Sequence, residues 1–434
     1  MAFYNKIQLV LIFSFLGSFV LAQQTPAPPQ TQPIIITGAV AHLGNGQVIE
    51  NSTVAFEDGK ITLVADARLI RIDGSKNYKT IAASGKHVYP GFIAPATTVG
   101  LVEINAVRAT KDYSEVGQMN PNIRSIIAYN TDSKVTPTVR SNGVLLAQIT
   151  PRSGRISGSS SIVELDAWNW EDALYKGDNG VHVNWPSMFR FSWGGSAEVI
   201  NKNKNYSKQT KELDAFFDQA KAYANKKNPE VKNLKFEAMR GLFDKSKKLF
   251  IHTNHAKTIM ESTLFAKKYG ADIVIVGGRD SWRITEFLKE NNVPVLIRST
   301  QSLPGAEDED IDQPFKTPKQ LHDAGILFGF SHSGYETQRN LPFQAGQAVG
   351  FGLEYEEAIK ALSLNTAKIL GLDQTIGSLE EGKDATLFIS EGDVLDMRTC
   401  KVTHAFIRGK EIDLDNKQKA LYRKFKEKYE ALSK

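Results

Sequence analysis

After the first 33 residues the chain opens with short apolar runs separated by turn residues. Ile34-Ile35-Ile36, Ser52-Thr53-Val54-Ala55-Phe56 and Ile61-Thr62-Leu63-Val64 have the length and composition of strands. Asn45-Gly46 and Asp58-Gly59 between them tolerate the positive φ of tight turns. This pattern predicts a small β domain reaching about residue 89. From residue 90 apolar runs alternate with amphipathic stretches, the signature of parallel β/α units. The clearest runs are 143–149, 249–252, 271–276, 293–297 and 325–330. Between them, Ile259, Leu264 and Phe265 are expected on one helical face within 258–269, and Ile284, Phe287 and Leu288 within 282–291. The third and fourth strands of such a series are expected somewhere in 160–193, where no run marks them. β texture returns at 376–379, 385–389 and 402–407. The last segment, 415–434, places Leu421, Phe425, Tyr429 and Leu432 on one face of a lysine-rich helix, expected to dock on the protein's own surface.

The first residues change the picture most. Lys6 is followed by an apolar stretch from 7 to 22 that ends Val20-Leu21-Ala22, small residues of the kind a signal peptidase reads. Residues 1–22 are expected to be a signal peptide, and the protein periplasmic or secreted. Residues 23–33, rich in Pro and Gln, have almost nothing to bury and read as an extended, mobile tether. The net charge of +5 comes from 53 basic and 48 acidic residues, with no basic run interleaved with aromatics, so no nucleic-acid partner is expected. Once the signal is removed, no membrane association is expected either. A single cysteine, Cys400, excludes an internal disulfide and multi-cysteine zinc or iron–sulfur sites.

Two segments carry a family resemblance. Asp58-Gly59-Lys60-Ile61 followed by Ser84-Gly85-Lys86-His87-Val88-Tyr89-Pro90-Gly91-Phe92-Ile93 resembles the opening of amidohydrolase-superfamily barrels. Leu364-Asn365-Thr366-Ala367-Lys368-Ile369-Leu370-Gly371-Leu372 and Ile376-Gly377-Ser378-Leu379-Glu380-Glu381-Gly382-Lys383-Asp384-Ala385 resemble that superfamily's closing segment. Within it, Gly100-Leu101, Asp112-Tyr113-Ser114-Glu115 and the Gly-rich 153–159 look most like the exported members related to imidazolonepropionase. The resemblance implies an α/β fold: a (β/α)8 TIM-like barrel over 90–372, inserted in a small β-sandwich built from 34–89 and 373–414.

That family hydrolyses C–N bonds with a divalent metal at the C-terminal mouth of the barrel. The metal lowers the pKa of a bound water and polarises the carbonyl. The resemblance implies a His-x-His pair at the end of the first strand, two residues apart so that both reach one ion. Here those positions are Ala96 and Thr98, and neither is a zinc ligand of the usual kind. His252 matches the histidine expected on a later strand. The following strand, Ile273-Val274-Ile275-Val276-Gly277, ends without one. His332 falls where the family's last strand carries an Asp. His252 and His332, with His255 in reach, are the candidate ligands for a single Zn or Mn, and no third ligand is identified. Asp272 starts its strand at the wrong end, and His182 is unplaced. His42, His87 and His404 fall in the β domain and His322 in a helix, without site roles. Thr98, Arg279 and Arg298 are candidate pocket residues, the arginines as bidentate holders of a carboxylate or phosphate.

Three readings stand. In the first, the chain has lost metal and catalysis, and binds a small amide or peptide-like ligand, as a homo-oligomer or beside an active paralogue. In the second, it hydrolyses cyclic amides or peptide-like compounds with a rearranged single-metal site. In the third, it is a scaffold whose pocket is packed shut. No catalytic residue is assigned. No nucleophile elbow, phosphate loop or dinucleotide fingerprint occurs in a supporting context.

Overall fold

Asp58 and Gly59 both take positive φ, 50° and 75°, the conformation a two-residue hairpin requires. They join strands β2 (Val48–Glu57) and β3 (Lys60–Asp66), which follow β1 (Ile34–His42) in an antiparallel meander. The computed structural model describes residues 24–194, 197–307, 309–332 and 334–432; the expected signal peptide lies outside them. Strands β4 (Lys79–Ala82) and β5 (His87–Pro90) pair parallel to β1. The sheet continues through chain-terminal strands β16 (Leu387–Ser390), β17 (Val402–Ile407) and β18 (Lys410–Glu411). The antiparallel pairing of β5 with β16 thus fuses both ends of the chain into one eight-stranded sheet. Its own core, including Ile36, Val54, Phe56, Leu387, Ile389 and Phe406, draws only on strands and connecting loops of that sheet.

The second sheet is the barrel. Its strands are β6 (Phe92–Thr97), β7 (Val144–Ile149), β8 (Ile156–Glu164), β9 (Leu174–Asn184), β12 (Lys248–Thr253), β13 (Ile273–Gly277), β14 (Val295–Arg298) and β15 (Phe328–Ser331), paired in chain order. A separate hairpin, β10 (Phe189–Gly194) with β11 (Ala197–Lys202), projects between β9 and β12. β15 packs against β6 to bring the two edges together. The pairings are parallel except around β8, which runs antiparallel to both β7 and β9. This corrects the expectation of uniform β/α units. Only residues 150–155 connect β7 to β8, and a parallel crossover needs a dozen residues or more.

The predicted helices are present with one face reassigned. In Ala256–Tyr269 the buried face is Ile259, Ser262, Thr263, Ala266 and their neighbours, whereas Leu264, expected inside, is 56% exposed. The helix ends at Gly270, whose φ of 76° is the left-handed cap that glycine supplies. Residues 24–33 have no regular structure and lie along the body, where Gln24 donates to Asp132 and Ser133 and Ala27 N–H donates to Asp166. The C-terminal helix Lys417–Leu432 buries no residue, so its expected docking is confined to its start, where Gln418 accepts from Thr138. No helix among the described residues is long and apolar enough to cross a membrane.

Candidate functional site at the barrel mouth

The C-terminal ends of the barrel strands meet at one mouth. β9 delivers His182, β12 His252 and β14 Arg298, while His332 follows β15 directly. The hairpin between β7 and β8 adds Arg152, and the loop after β6 adds Thr98 and Tyr113.

A continuous polar chain crosses the mouth. Arg298 donates from a terminal guanidinium nitrogen to Nδ1 of His252, at 3.2 Å. Because Nδ1 accepts, His252 holds its proton on Nε2 and donates to Nδ1 of His182 at 2.9 Å. His182 donates from Nε2 to the Ser160 hydroxyl at 2.8 Å, and Ser160 donates to Asn179 Oδ1 at 3.0 Å. Donor and acceptor alternate along the whole run, so one assignment of protons is consistent with every one of these bonds. Both imidazoles are neutral: burial, with Arg152 nearby, brings His182 down to about 3. Burial also holds His252 well below the ordinary histidine value, with His182, Arg298 and Arg152 acting in the same direction. His182 further stacks face to face on Phe250, ring centres 4.7 Å apart.

Arg152 is anchored differently. It donates to the carbonyl oxygen of Ala96 at 2.8 Å. Ala96 sits at a break in the β6–β7 register with φ of 49°, and its N–H donates to Gln148 Oε1 at 3.0 Å. A left-handed backbone costs a non-glycine residue on the order of 1 kcal/mol, and such strain collects at functional sites. Burial, reinforced by Arg298, lowers Arg152 to about 10, and burial lowers Arg298 as well. Neither guanidinium has a carboxylate within ion-pair distance among the described residues, and the Nε atom of each is buried without a partner.

A cavity of about 300 Å³ opens here, lined by Thr98, Tyr113, Arg152, Tyr335, Glu336 and Thr337 among others. His332 lies beside it, with Nδ1 accepting from Thr337 Oγ1 at 2.8 Å and from Gly334 N–H at 2.9 Å. Burial lowers its pKa, with Arg298 and Arg152 adding to the effect. A larger cavity, about 730 Å³, lies at the opposite end of the barrel strands, between Asp272 and Pro294.

The residues present do not fit the family's metal. Both nitrogens of His252 are engaged, one with a guanidinium, and Ala96 offers only a carbonyl that Arg152 already occupies. Among the described residues, no group of three or more His, Cys, Asp or Glu side chains is placed to hold an ion. His252 and His332, the candidate ligand pair, have different hydrogen-bond partners: Arg298 and His182 for the first, Thr337 and Gly334 for the second. Thr98 does line the cavity, and Arg298 lies at the mouth. Arg279 instead pairs with Asp280 at 3.2 Å and donates to His255 at 3.2 Å, away from the cavity wall. Arg152 and the role of His182 were not read from sequence. The short 150–155 connection was the available signal for Arg152, because a hairpin there puts its turn at the mouth.

The comparisons agree with this architecture. The amidohydrolase family matches residues 246–412. An amidohydrolase from Thermotoga maritima is similar in structure, with a TM-score of 0.73 at 22% identity over 87% of this chain and 99% of that one. A prolidase from Bifidobacterium longum gives 0.52 at 17% identity, over 90% and 97% of the two chains. A zinc-bound adenosine deaminase from Xanthomonas campestris gives 0.54 at 15%, over 88% and 93%. Among curated protein sequences none matches this one. Its barrel and flanking sheet share the fold of these structures, and residues 246–412 carry the sequence pattern of the amidohydrolase family.

Proposed function

We propose that this protein is an exported binding protein built on an amidohydrolase barrel, taking a small amide or peptide-like ligand at the mouth without metal-dependent hydrolysis. The observation that carries the reading is the placement of guanidinium donors on two positions where the family presents metal ligands, Arg298 on His252 and Arg152 on Ala96. A divalent cation beside two unpaired guanidiniums is disfavoured by charge, and His252 has no free lone pair to offer it. The open cavity favours a ligand over a closed scaffold. In this reading the protein acts in the periplasm or outside the cell, as a homo-oligomer or beside an active paralogue.

One observation favours the second reading, a rearranged single-metal hydrolase: His182 and His252 sit side by side on neighbouring strands. Swinging Arg298 aside would free the Nδ1 lone pair of His252. The test is a ligand screen on signal-free protein, following melting temperature and hydrolysis together. Stabilisation by an amide or peptide-like compound without turnover supports the binding reading. Turnover abolished by a chelator overturns it in favour of the hydrolase.

A further inference from the structure

We infer that the barrel mouth recognises its ligand through an oxyanion, a carboxylate or phosphate group, held by Arg152 with Arg298 supplying the second positive charge. This inference rests on the metal-free reading above and adds the chemical class of ligand. Burying a guanidinium without a counter-charge is costly, because its hydration is lost and nothing replaces it. Arg152 and Arg298 are both half-buried at the mouth, and the Nε of each is buried without a partner. Elsewhere in the protein a buried arginine is paired: Arg140 meets Asp166 at 2.5 Å. Arg152 and Arg298 break that pattern, and Arg152 does so in the wall of a cavity. An oxyanion entering the cavity supplies the missing counter-charge.

The walls supply hydrogen bonding of the matching kind. Thr98, Asn105 and Tyr113 line the cavity, and their side chains have no hydrogen-bond partner among the described residues. Tyr113 is also tied to the arginine, since its carbonyl accepts from Arg152 N–H at 2.8 Å. One acidic group, Glu336, also lines the cavity, and it already accepts from Tyr335 at 2.6 Å. It suits the polar, neutral or amine-bearing end of a ligand whose anionic end meets Arg152. The volume of about 300 Å³ suits a small organic acid.

The test uses the full mature chain at constant ionic strength, with calorimetric titration of N-acetylglycine, its neutral counterpart N-acetylglycinamide, and inorganic phosphate. Saturable binding of N-acetylglycine, roughly tenfold or more tighter than of its amide, supports a carboxylate ligand. Binding of phosphate alone supports the same site with a phosphorylated ligand. Arg152→Gln is expected to weaken either by about tenfold or more. Tyr113→Phe, which leaves the arginines in place, is expected to weaken it less, and it serves should Arg152→Gln fail to fold. Equal binding of acid and amide, or no binding of any probe to metal-free protein, overturns the oxyanion inference while leaving the metal-free reading intact. A bound metal with chelator-sensitive hydrolysis overturns the underlying reading instead.

Discussion

The Nδ1 atom of His252 lies 3.2 Å from a terminal nitrogen of Arg298. A histidine at this strand end serves the family as a metal ligand, and here its lone pair is taken by an organic cation fixed to the protein. In the proposed reading the positive charge of the mouth comes from a guanidinium in place of a metal. A guanidinium orients and neutralises an anion, but unlike a metal it does not generate hydroxide from bound water.

Arg298→Met tests whether that cation is kept for a ligand instead of for stability. In the absence of ligand the variant should be as stable as the parent or more stable, by up to about 4 kcal/mol, because a buried charge without a counter-ion is removed. Its binding of a small carboxylate should be lost. Urea denaturation with and without ligand measures both. A large destabilisation without ligand would assign Arg298 to the core.

His182→Phe preserves the stack on Phe250 but removes an acceptor for His252 and a donor to Ser160. Leaving buried polar groups without partners should cost about 1–3 kcal/mol in denaturant stability. A variant as stable as the parent would show that the polar chain across the mouth does not hold it together.

The same histidines set an acid limit. His182 drops from an ordinary value of 6.5 to about 3 in the folded protein, so below pH 6.5 the unfolded chain binds the extra proton. Stability should therefore fall as pH drops from about 6.5 towards 3, with a slope of up to about 1.4 kcal/mol per pH unit from this group. His252, also depressed, acts in the same direction. In His182→Phe the slope between pH 6.5 and pH 4 should be shallower, by comparison of unfolding free energies across that range.

Asp166 accepts from Arg140 at 2.5 Å and from the N–H of Ala27 at 2.8 Å, joining a barrel-side helix to the segment at 24–33. Asp166→Ala should cost about 3–5 kcal/mol by leaving Arg140 buried without its partner. It should also make the bond after Ala27 more accessible to protease. Limited proteolysis beside thermal denaturation separates the two effects.

Where burial is apolar, the elements were legible from pattern alone. The runs that became β7, β12, β13, β14 and β15 are nearly continuous stretches of Val, Ile, Leu and Phe, as expected for strands covered on both faces. β8 was hidden because its residues, Ile156–Glu164, include four serines that are all buried. Their hydroxyls are satisfied by hydrogen bonds to neighbours such as His182 and Asn179, a reason for burial that hydropathy does not register. That Ala96 and Thr98 occupy the positions where the resemblance implies a His-x-His pair is visible in the sequence. The contact of Arg152 with Ala96 was not visible there, since Arg152 lies 56 residues away and meets Ala96 only through the pairing of β6 with β7.

If guanidiniums stand in place of the family's metal, the mouth should load no ion. Elemental analysis of signal-free protein purified with zinc and manganese supplied tests it most directly, with Arg298→Met and His252→Ala alongside. Well under one metal per chain is expected in the parent. One metal per chain, retained in Arg298→Met and lost in His252→Ala, would contradict it and return the mouth to metal-dependent chemistry.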